Sequence, residues 1–272
     1  MITLRHALTQ ATARIADVSD SPRLDAELLA AHALGIPREE MLLGRLDDPV
    51  PPGFAALVER RLTHEPVAYI TGTRAFWTID LKVGPGALVP RADSETLVEA
   101  AVAHFAGRAP ARILDLGTGP GTLLLAALAE WAQASGLGID ASAAALGYAR
   151  ANAAALGCAD RVEWRQGDWT QGIDERFDLI LANPPYIGTG ESLPHEVAGH
   201  EPPGALFAGA DGLDDYRRIV PDLPRLLAQG GIAAIEIGHR QGDAVAALVE
   251  AAGLPARLVR DLGQRPRCIV AG

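Results

Sequence analysis

The stretch Leu114-Asp115-Leu116-Gly117-Thr118-Gly119-Pro120-Gly121-Thr122 decides the fold of this chain. An apolar run of strand length ends at Leu116, and a helical pattern begins at Thr122. Glycines between a strand and a helix let the backbone approach a ligand closely, and the helix presents free N–H groups. The spacing G-x-G-x-G is one residue shorter than the dinucleotide pattern, and no Gly-Lys-Ser/Thr follows for a triphosphate. The sequence therefore predicts a ligand-binding turn at the end of a sheet strand.

Strand and helix patterns alternate along the rest of the chain, which is typical of a mostly parallel sheet covered by helices on both faces. The predicted strands are residues 112–116, 137–140, 162–166, 177–183, 232–238, 257–262 and 267–271. The predicted helices between them are residues 122–131, 143–156, 213–227 and 240–252. No helix-length segment separates the last two strands, so we expect an antiparallel final strand in this α/β domain.

The N-terminal part of the chain has a different pattern. Its apolar residues recur at helical spacing, with a helix start at Ser21-Pro22 and a helix stop at Gly35. From Arg74 to Pro90 the apolar period shifts toward two, which predicts a β-hairpin. We therefore expect a small helical bundle at 1–73, a β-hairpin linker at 74–90 and the α/β domain at 91–272.

Composition and charge restrict the class of protein. A hydrophobic content of 49% supports cores for two domains, and a formal net charge of -10 argues against non-specific binding to phosphate backbones. No apolar signal segment or membrane span is expected. Cys158 and Cys268 match no metal or redox spacing and suit a reducing compartment. We expect a cytoplasmic protein with no membrane partner, no direct nucleic-acid target and no bound metal.

Acidic residues follow the next two predicted strands. Asp140 lies 23 positions after Gly117, which suits a carboxylate that accepts hydrogen bonds from both hydroxyls of a ribose. Asp168 is placed to accept a hydrogen bond from an adenine amino group, with Trp169 covering the ring. Because adjacent parallel strands end at the same edge of a sheet, we expect these residues to converge on one crevice with Asn183, which ends the fourth strand.

The tetrapeptide Asn183-Pro184-Pro185-Tyr186 follows the apolar run of the fourth strand, which the two prolines end. The Asn183 side-chain oxygen and the Pro184 carbonyl are two fixed acceptors, and the Tyr186 ring is a flat surface. Two such acceptors can hold both protons of a planar NH2 group and favour a tetrahedral nitrogen as a fourth bond forms. Taken alone, the tetrapeptide is equally consistent with a simple turn.

Together these residues resemble the S-adenosylmethionine-dependent methyltransferases of the Rossmann-like class. In that class a glycine loop, a carboxylate at the ribose and an acidic residue at the adenine occur in this order. The Asn-Pro-Pro-Tyr tetrapeptide is shared by adenine amino-methyltransferases and by the release factor glutamine methyltransferases of the HemK/PrmC family. The second family is favoured by further segments: Glu65-Pro66-Val67-Ala68-Tyr69-Ile70-Thr71-Gly72, Phe76-Trp77, Val89-Pro90-Arg91, Glu201-Pro202, Asp211-Gly212-Leu213, Tyr216-Arg217 and Glu236-Ile237-Gly238. The resemblance spans about residues 4 to 270, and it departs from the common family pattern at Ala92, Ser94 and Pro120.

The resemblance implies a Rossmann-like seven-stranded domain and methyl transfer from S-adenosylmethionine to the side-chain amide nitrogen of the Gln in a release factor's Gly-Gly-Gln loop. It implies that the N-terminal helical domain contacts the release factor. The implied cofactor residues are Gly117, Thr118, Gly119, Pro120 and Gly121 at the methionine and ribose end, Asp140 at the ribose, Asp168 and Trp169 at the adenine, and Asn183 beside the methyl group. The implied substrate residues are Asn183 and Pro184, which hold the amide, with Pro185 and Tyr186 bounding it.

Three alternatives remain open at this stage. An adenine amino-methyltransferase would need to extract a base from a nucleic-acid stack and bind phosphates. The net negative charge of the chain disfavours phosphate binding. A regulator that binds the cofactor without turnover is disfavoured by the intact tetrapeptide, and a nucleotide-dependent oxidoreductase by the loop spacing.

Residues His195 and His200 are five apart and do not share a helix face, so no zinc site is expected there.

Two segments near the expected crevice have open roles. Ser94 or Asp93 is predicted to cap the helix that follows, and Arg91, Asp93 and Glu95 either contact the cofactor or only begin that helix. The Gly- and Pro-rich segment 188–212 is predicted to be a mobile cover over the substrate crevice.

Overall fold

The computed structural model describes residues 2–272, which divide into two compact units. The helices in chain order are α1 (Leu4–Ile15), α2 (Pro22–Leu34), α3 (Arg38–Gly44), α4 (Phe54–Leu62), α5 (Val67–Thr71), α6 (Glu95–Phe105), α7 (Thr122–Glu130), α8 (Ala143–Ala155), α9 (His195–His200), α10 (Asp214–Ile219), α11 (Leu223–Leu226) and α12 (Gly242–Ala251). The strands are β1 (Thr73–Phe76), β2 (Ile79–Lys82), β3 (Arg112–Leu116), β4 (Ser135–Asp140), β5 (Val162–Gln166), β6 (Phe177–Ala182), β7 (Leu227–Glu236), β8 (Ala256–Arg260) and β9 (Pro266–Ala271).

The first unit contains the chain up to Thr73 together with the segment Leu193–Glu201. Its core consists of apolar side chains from α1 to α5, and α2 begins with Pro22 and ends at Gly35, which has a φ of 68°. The helix start and stop predicted there are therefore confirmed. The joining of Leu193–Glu201 to this unit was not predicted, because no local pattern links that segment to helices so far back in the chain.

A buried arginine organises the first unit. Arg61 donates from Nε to Asp25 at 2.8 Å and from a terminal nitrogen to Glu196 of α9 at 2.7 Å. It also donates to the backbone carbonyl of Val18 at 3.1 Å. Because a buried guanidinium needs partners for its donors, these contacts connect three separate parts of the chain within one unit.

The second unit contains Arg74–Ser192 and Pro202–Gly272. Strands β1 and β2 form a two-stranded sheet, which confirms the predicted hairpin. The main sheet has seven strands in the order β5-β4-β3-β6-β7-β9-β8. The pairs from β5 to β7 are parallel, and β9 is antiparallel to both β7 and β8. The predicted mostly parallel α/β sheet with an antiparallel final strand is confirmed.

The register of the parallel strands positions the loops that follow them. Leu116 at the end of β3 pairs with Ile139 of β4 and with Ala182 of β6. Ala182 in turn pairs with Ile235 of β7. The residues that follow these four strands therefore emerge at the same edge of the sheet.

The segment before and within β7 differs from the prediction. The helix expected at 213–227 is broken into α10, a 3-10 turn at Val220–Asp222 and α11, because Pro221 and Pro224 remove backbone donors. Strand β7 begins at Leu227 rather than at Ile232, and its pairing with β6 shifts register between Phe177 and Leu179. The two glycines before Ile232 have the pattern of a turn in the sequence, whereas the sheet accommodates them as an irregularity.

No helix within residues 2–272 is long and apolar enough to cross a membrane.

Candidate active site

A cavity of about 340 Å3 lies in the second unit, at the carboxyl ends of β3, β4, β5 and β6. Most of the residues selected from the sequence line it: Gly117, Thr118, Gly119, Pro120, Asp140, Asp168, Trp169, Asn183 and Pro185. Three of the selected residues, Gly121, Pro184 and Tyr186, are not part of its wall. Sequence reasoning missed further wall residues, among them Asp115, Ser94, Asp215 and Arg218.

The glycine turn has a left-handed backbone at each of its glycines, with φ of 69° at Gly117, 59° at Gly119 and 87° at Gly121. A Cβ on Gly117 would lie 2.9 Å from the Trp169 ring, so the turn and Trp169 pack directly against each other. A Cβ on Gly121 would instead meet Leu125 at 2.7 Å. The glycine at position 121 is therefore required by packing behind the turn rather than by the cavity.

Asp140 ends β4 and supports the glycine turn. Its Oδ2 accepts from the Gly119 amide at 2.8 Å, and its Oδ1 accepts from the Ser142 amide at 2.7 Å. Burial raises the pKa of Asp140, and the hydrogen bonds from Ser142 and Gly119 oppose that rise. Each carboxylate oxygen retains a second lone pair, so Asp140 can also accept hydrogen bonds from a ligand in the cavity.

Asp115 is a buried carboxyl on the cavity wall, 1% exposed, at the strand position before Leu116. Its Oδ2 accepts from Thr118 at 2.5 Å and from the Leu124 amide at 3.2 Å, whereas Oδ1 has no partner. Burial raises the pKa of Asp115 to about 7. An acidic residue inside an apolar strand was the signal that sequence reasoning overlooked. A cation in the cavity would stabilise this carboxylate in its ionised form.

The loop after β5 is held by α10. Asp168 forms an ion pair with Arg218, and the indole nitrogen of Trp169 donates to Asp215 at 2.9 Å. Trp169 has a φ of 49°, an uncommon value for a large side chain. No local pattern identifies Asp215 or Arg218 in the sequence, because α10 reaches this loop only through the tertiary fold.

Asn183 is half-buried on the cavity wall, directly after β6. Its Nδ2 donates to the Ser94 hydroxyl oxygen at 3.2 Å. Ser94 is buried, and it also forms a side-chain hydrogen bond with Glu236 at the end of β7. The amide nitrogen of Asn183 is thus directed into the protein, which leaves its Oδ1 as the acceptor available at the cavity.

Ser94 stands directly before α6, at the predicted start of the helix, but its side chain does not cap that helix. The 3-10 helix Ala92–Ser94 runs directly into α6, so Ser94 has a helical backbone and forms no capping hydrogen bond. Asp93 pairs with Arg267 at 2.8 Å, and Glu95 accepts from the Trp77 amide at 2.8 Å. Arg91 lies on the cavity wall.

The backbone of the Asn-Pro-Pro-Tyr turn is fixed by Gln241. Its Nε2 donates to the carbonyl oxygens of Tyr186 at 2.9 Å and of Gly212 at 3.2 Å. Its Oε1 accepts from the Gly238 amide at 3.0 Å. One side chain therefore connects the loops that follow β6 and β7 with Gly212, two residues before α10.

His195 and His200 lie in the first unit. His195 packs against His64 with ring centroids 5.3 Å apart, and His200 lies 3.3 Å from the Thr63 carbonyl oxygen. Within residues 2–272, no group of three or more His, Cys, Asp or Glu side chains has the arrangement of a metal site.

A glycine turn, a strand-end carboxylate and a crevice at the carboxyl edge of a seven-stranded sheet define the class of the second unit, that of the Rossmann-like methyltransferases. Residues 109–251 match the family described as a methyltransferase domain. The crystal structure of a methyltransferase from Pyrococcus furiosus has the same fold, with a TM-score of 0.54, 16% identity, and coverage of 78% of this chain and 95% of that one.

The particular family follows from the whole chain. Residues 6–72 match the PrmC N-terminal domain. A release factor glutamine methyltransferase from Rhodospirillum rubrum is 46% identical over 259 residues, covering 93% of this chain and 79% of the relative. One from Caulobacter vibrioides is 42% identical over 277 residues, covering 99% of this chain and 96% of the relative. The chain belongs to the release factor glutamine methyltransferase family, which confirms the resemblance, and it is an S-adenosylmethionine-dependent methyltransferase.

The residues of the cavity fit this cofactor chemically. S-adenosylmethionine carries a sulfonium and an ammonium group, and the unpartnered buried oxygen of Asp115 is suited to a cation. Asp140 retains acceptor capacity for ribose hydroxyls, and the glycine turn allows close approach of the backbone.

Proposed function

We propose that this enzyme transfers a methyl group from S-adenosylmethionine to the side-chain amide nitrogen, N5, of the glutamine in the Gly-Gly-Gln motif of peptide chain release factors. The names of its relatives support release factors as the substrate class. The orientation of Asn183 carries the proposal for the amide, because its Oδ1 is the acceptor that remains available at the cavity.

The cofactor is proposed to bind along the edge of the sheet. Its methionine end and ribose are placed beside the turn Gly117 to Gly121, with the ribose hydroxyls on Asp140 and the adenine between Asp168 and Trp169. The cavity wall formed by most of these residues supports this assignment. Gly121 contributes to the shape of the turn from behind, since it is not on the wall.

The substrate amide is proposed to be held by Asn183 Oδ1 and the Pro184 carbonyl oxygen, with Pro185 and Tyr186 bounding its plane. When bound, the cofactor supplies an electrophilic methyl group on its sulfonium. An amide nitrogen is a poor nucleophile because its lone pair is conjugated with the carbonyl. Two fixed acceptors would align the nitrogen and accept stronger hydrogen bonds as it becomes tetrahedral, so they would stabilise the transition state more than the ground state. The methyl–sulfur bond would break as the methyl–nitrogen bond forms, and the nitrogen would then release one of its two protons to water.

The protein substrate is proposed to be recognised by the N-terminal unit. Its helices match the PrmC N-terminal domain over residues 6–72, and this match is what sets the chain apart from a bare methyltransferase domain. The partner is then a folded protein surface rather than a nucleic acid, and the Gly-Gly-Gln loop enters the catalytic crevice.

The experiment incubates the enzyme with a purified release factor and S-adenosylmethionine and locates the methyl group by mass spectrometry. Asn183→Ala should lower kcat by about 100-fold or more, because one fixed acceptor of the transition state is lost. Its Kd for S-adenosylhomocysteine should stay within about threefold of the wild-type value. Asp140→Ala should instead raise that Kd by about 10-fold or more, because it removes the ribose acceptor.

A matched control is Asp160→Ala, which removes an exposed carboxylate that is not part of the cavity wall. Methylation of duplex DNA or RNA instead of the release factor would refute the proposed substrate. Equal loss of binding and turnover in Asn183→Ala would remove Asn183 from the role of substrate acceptor.

A further inference from the structure

We propose that Ser94 and Glu236 are positioning residues that fix the side-chain amide of Asn183 with its oxygen toward the substrate. This inference rests on the function proposed above and extends it to two residues that act through Asn183; one of them, Ser94, also lies on the cavity wall.

The fold brings the three side chains together from separate elements. Ala182 and Ile235 are paired neighbours on parallel strands β6 and β7. Asn183 directly follows β6, and Glu236 is the last residue of β7. Side chains at paired positions of parallel strands project to the same face of the sheet. Ser94, at the end of the 3-10 helix before α6, donates and accepts between them.

The direction of each hydrogen bond follows from the groups present. An ionised Glu236 carboxylate can only accept, so the single hydroxyl proton of Ser94 must be donated to it. The Ser94 oxygen is then left to accept, and it accepts from the Asn183 Nδ2 at 3.2 Å. This order leaves one orientation for the Asn183 amide, with Oδ1 at the cavity.

Reversing the order would present the wrong group to the substrate. If Glu236 is neutral, it can donate to Ser94, and Ser94 can then donate to the Asn183 oxygen. The Asn183 amide would turn its NH2 toward the substrate NH2, where two donors repel. A neutral Glu236 therefore permits both orientations of the Asn183 amide, whereas an ionised Glu236 permits only the one with Oδ1 at the cavity.

Several charged and titratable groups surround Glu236. Arg267 on β9 and Arg91 favour its ionised form, Asp93 opposes it, and the phenols of Tyr186 and Tyr216 and the thiol of Cys268 also lie near it. Glu236 is buried and its Oε2 has no hydrogen-bond partner. Burial is the largest influence, and it raises the pKa of Glu236 to about 7.

Burying the Glu236 carboxyl group costs folding free energy, because one of its oxygens is left without a hydrogen-bond donor. Through Ser94, Glu236 is connected to the side-chain amide of Asn183 at the cavity wall, and this connection gives Glu236 its positioning role. Buried polar networks of this kind hold a reacting geometry when every orientation in them is determined.

The test uses the full-length enzyme with a release factor at saturating concentrations of both substrates. Ser94→Ala should lower kcat by about 10-fold or more, since a misoriented acceptor no longer aligns the amide. Ser94→Thr keeps the hydroxyl and should restore at least half of the wild-type kcat. The Kd for S-adenosylhomocysteine should stay unchanged in both variants, and Ser135→Ala, at the exposed start of β4, should resemble the wild type.

The second readout is the pH profile of kcat. In the wild type kcat should rise between about pH 6 and 8 as Glu236 ionises, and in Glu236→Gln it should be low and should not rise over that range. Asp160→Asn, which removes an exposed carboxylate outside the cavity wall, should retain the rise.

The outcomes separate this inference from the proposed function. If the wild type methylates the release factor and Ser94→Ala or Glu236→Gln matches its kcat and pH profile, the positioning role is refuted while the function stands. If Ser94→Thr is as impaired as Ser94→Ala, the hydroxyl group is not what orients the Asn183 amide, and the inference also fails. If the wild type does not methylate the release factor, the proposed function itself is refuted.

Discussion

Two buried carboxyl groups, Asp115 and Glu236, lie at opposite sides of the chemistry proposed for this site. Burial raises the pKa of each to about 7, and each has one oxygen without a hydrogen-bond partner. Asp115 lies beside the glycine turn on the cavity wall, and Glu236 is connected to Asn183 through Ser94. Burial therefore raises the pKa both of the carboxyl group proposed to face the cofactor and of the one proposed to align the substrate.

Cofactor affinity is expected to depend on pH through Asp115. Below about pH 7 its carboxyl is neutral, and above it the carboxylate attracts the positive charges of S-adenosylmethionine. The Kd for S-adenosylmethionine should therefore fall between about pH 6 and 8, and calorimetry at several pH values measures it. Asp115→Asn should remove most of this pH dependence. A wild-type Kd that is constant over the same range would contradict the prediction.

At the scale of elements, the Asn-Pro-Pro-Tyr turn depends on loops from three parts of the sequence. Gln241 donates to the carbonyl oxygens of Tyr186 and Gly212 and accepts from the Gly238 amide. Gly212 is close to this junction: a Cβ on it would lie 2.2 Å from the Tyr186 oxygen and 2.8 Å from the Gln241 nitrogen. The position of the turn is therefore set by packing among loops, rather than by the turn residues alone.

Gly212→Ala should displace the Tyr186 carbonyl and break the Gln241 hydrogen bonds. Its left-handed φ of 72° adds strain for any larger residue. We expect a loss of about 2 kcal/mol or more in the free energy of unfolding, measured by chemical denaturation, together with a lower kcat. Gly190→Ala is the matched control, since its Cβ would meet nothing within 4 Å and its φ is not left-handed. Equal stability of the two variants would contradict the prediction.

At the scale of the whole molecule, the first unit is assembled from two distant parts of the chain. Arg61 is 3% exposed and binds Asp25, which is 10% exposed, while its terminal nitrogen binds Glu196 of α9. Removing one partner of such a pair leaves an uncompensated buried charge. This ion-pair cluster is therefore one of the contacts that join Leu193–Glu201 to the rest of the unit.

Arg61→Ala should destabilise the first unit by about 3–5 kcal/mol, because Asp25 is left buried without its cation. Hydrogen exchange of the backbone amides in residues 2–73 and 193–201 measures this unit within the full-length chain. Arg5→Ala is the control, because the Arg5–Asp47 pair has side chains 60% and 84% exposed and should contribute less than about 1 kcal/mol. Unchanged exchange protection in Arg61→Ala would show that the cluster does not hold the segment.

Local sequence patterns were sufficient to predict most helices and strands, and to select the cavity-wall residues that follow the strands. The sequence predicted β3, β5 and the glycine turn because apolar runs and left-handed glycines are set by residues close in the chain. It selected Asp140, Asp168 and Asn183 because parallel strands end at a shared edge. Its errors fell where proline and glycine interrupt a pattern, as in the broken helix before β7.

By itself the sequence determined the class of fold, the family and the residues that end β3, β4 and β5. Only the tertiary structure decided which distant groups meet there: Asp115 with its unpartnered oxygen, Arg218 against Asp168, and Glu236 and Ser94 behind Asn183. The physical reason is that strand and turn formation depend on neighbours in the chain. Hydrogen-bond direction and buried charge depend instead on groups that come together only when the sheet, its helices and the loops between them have packed.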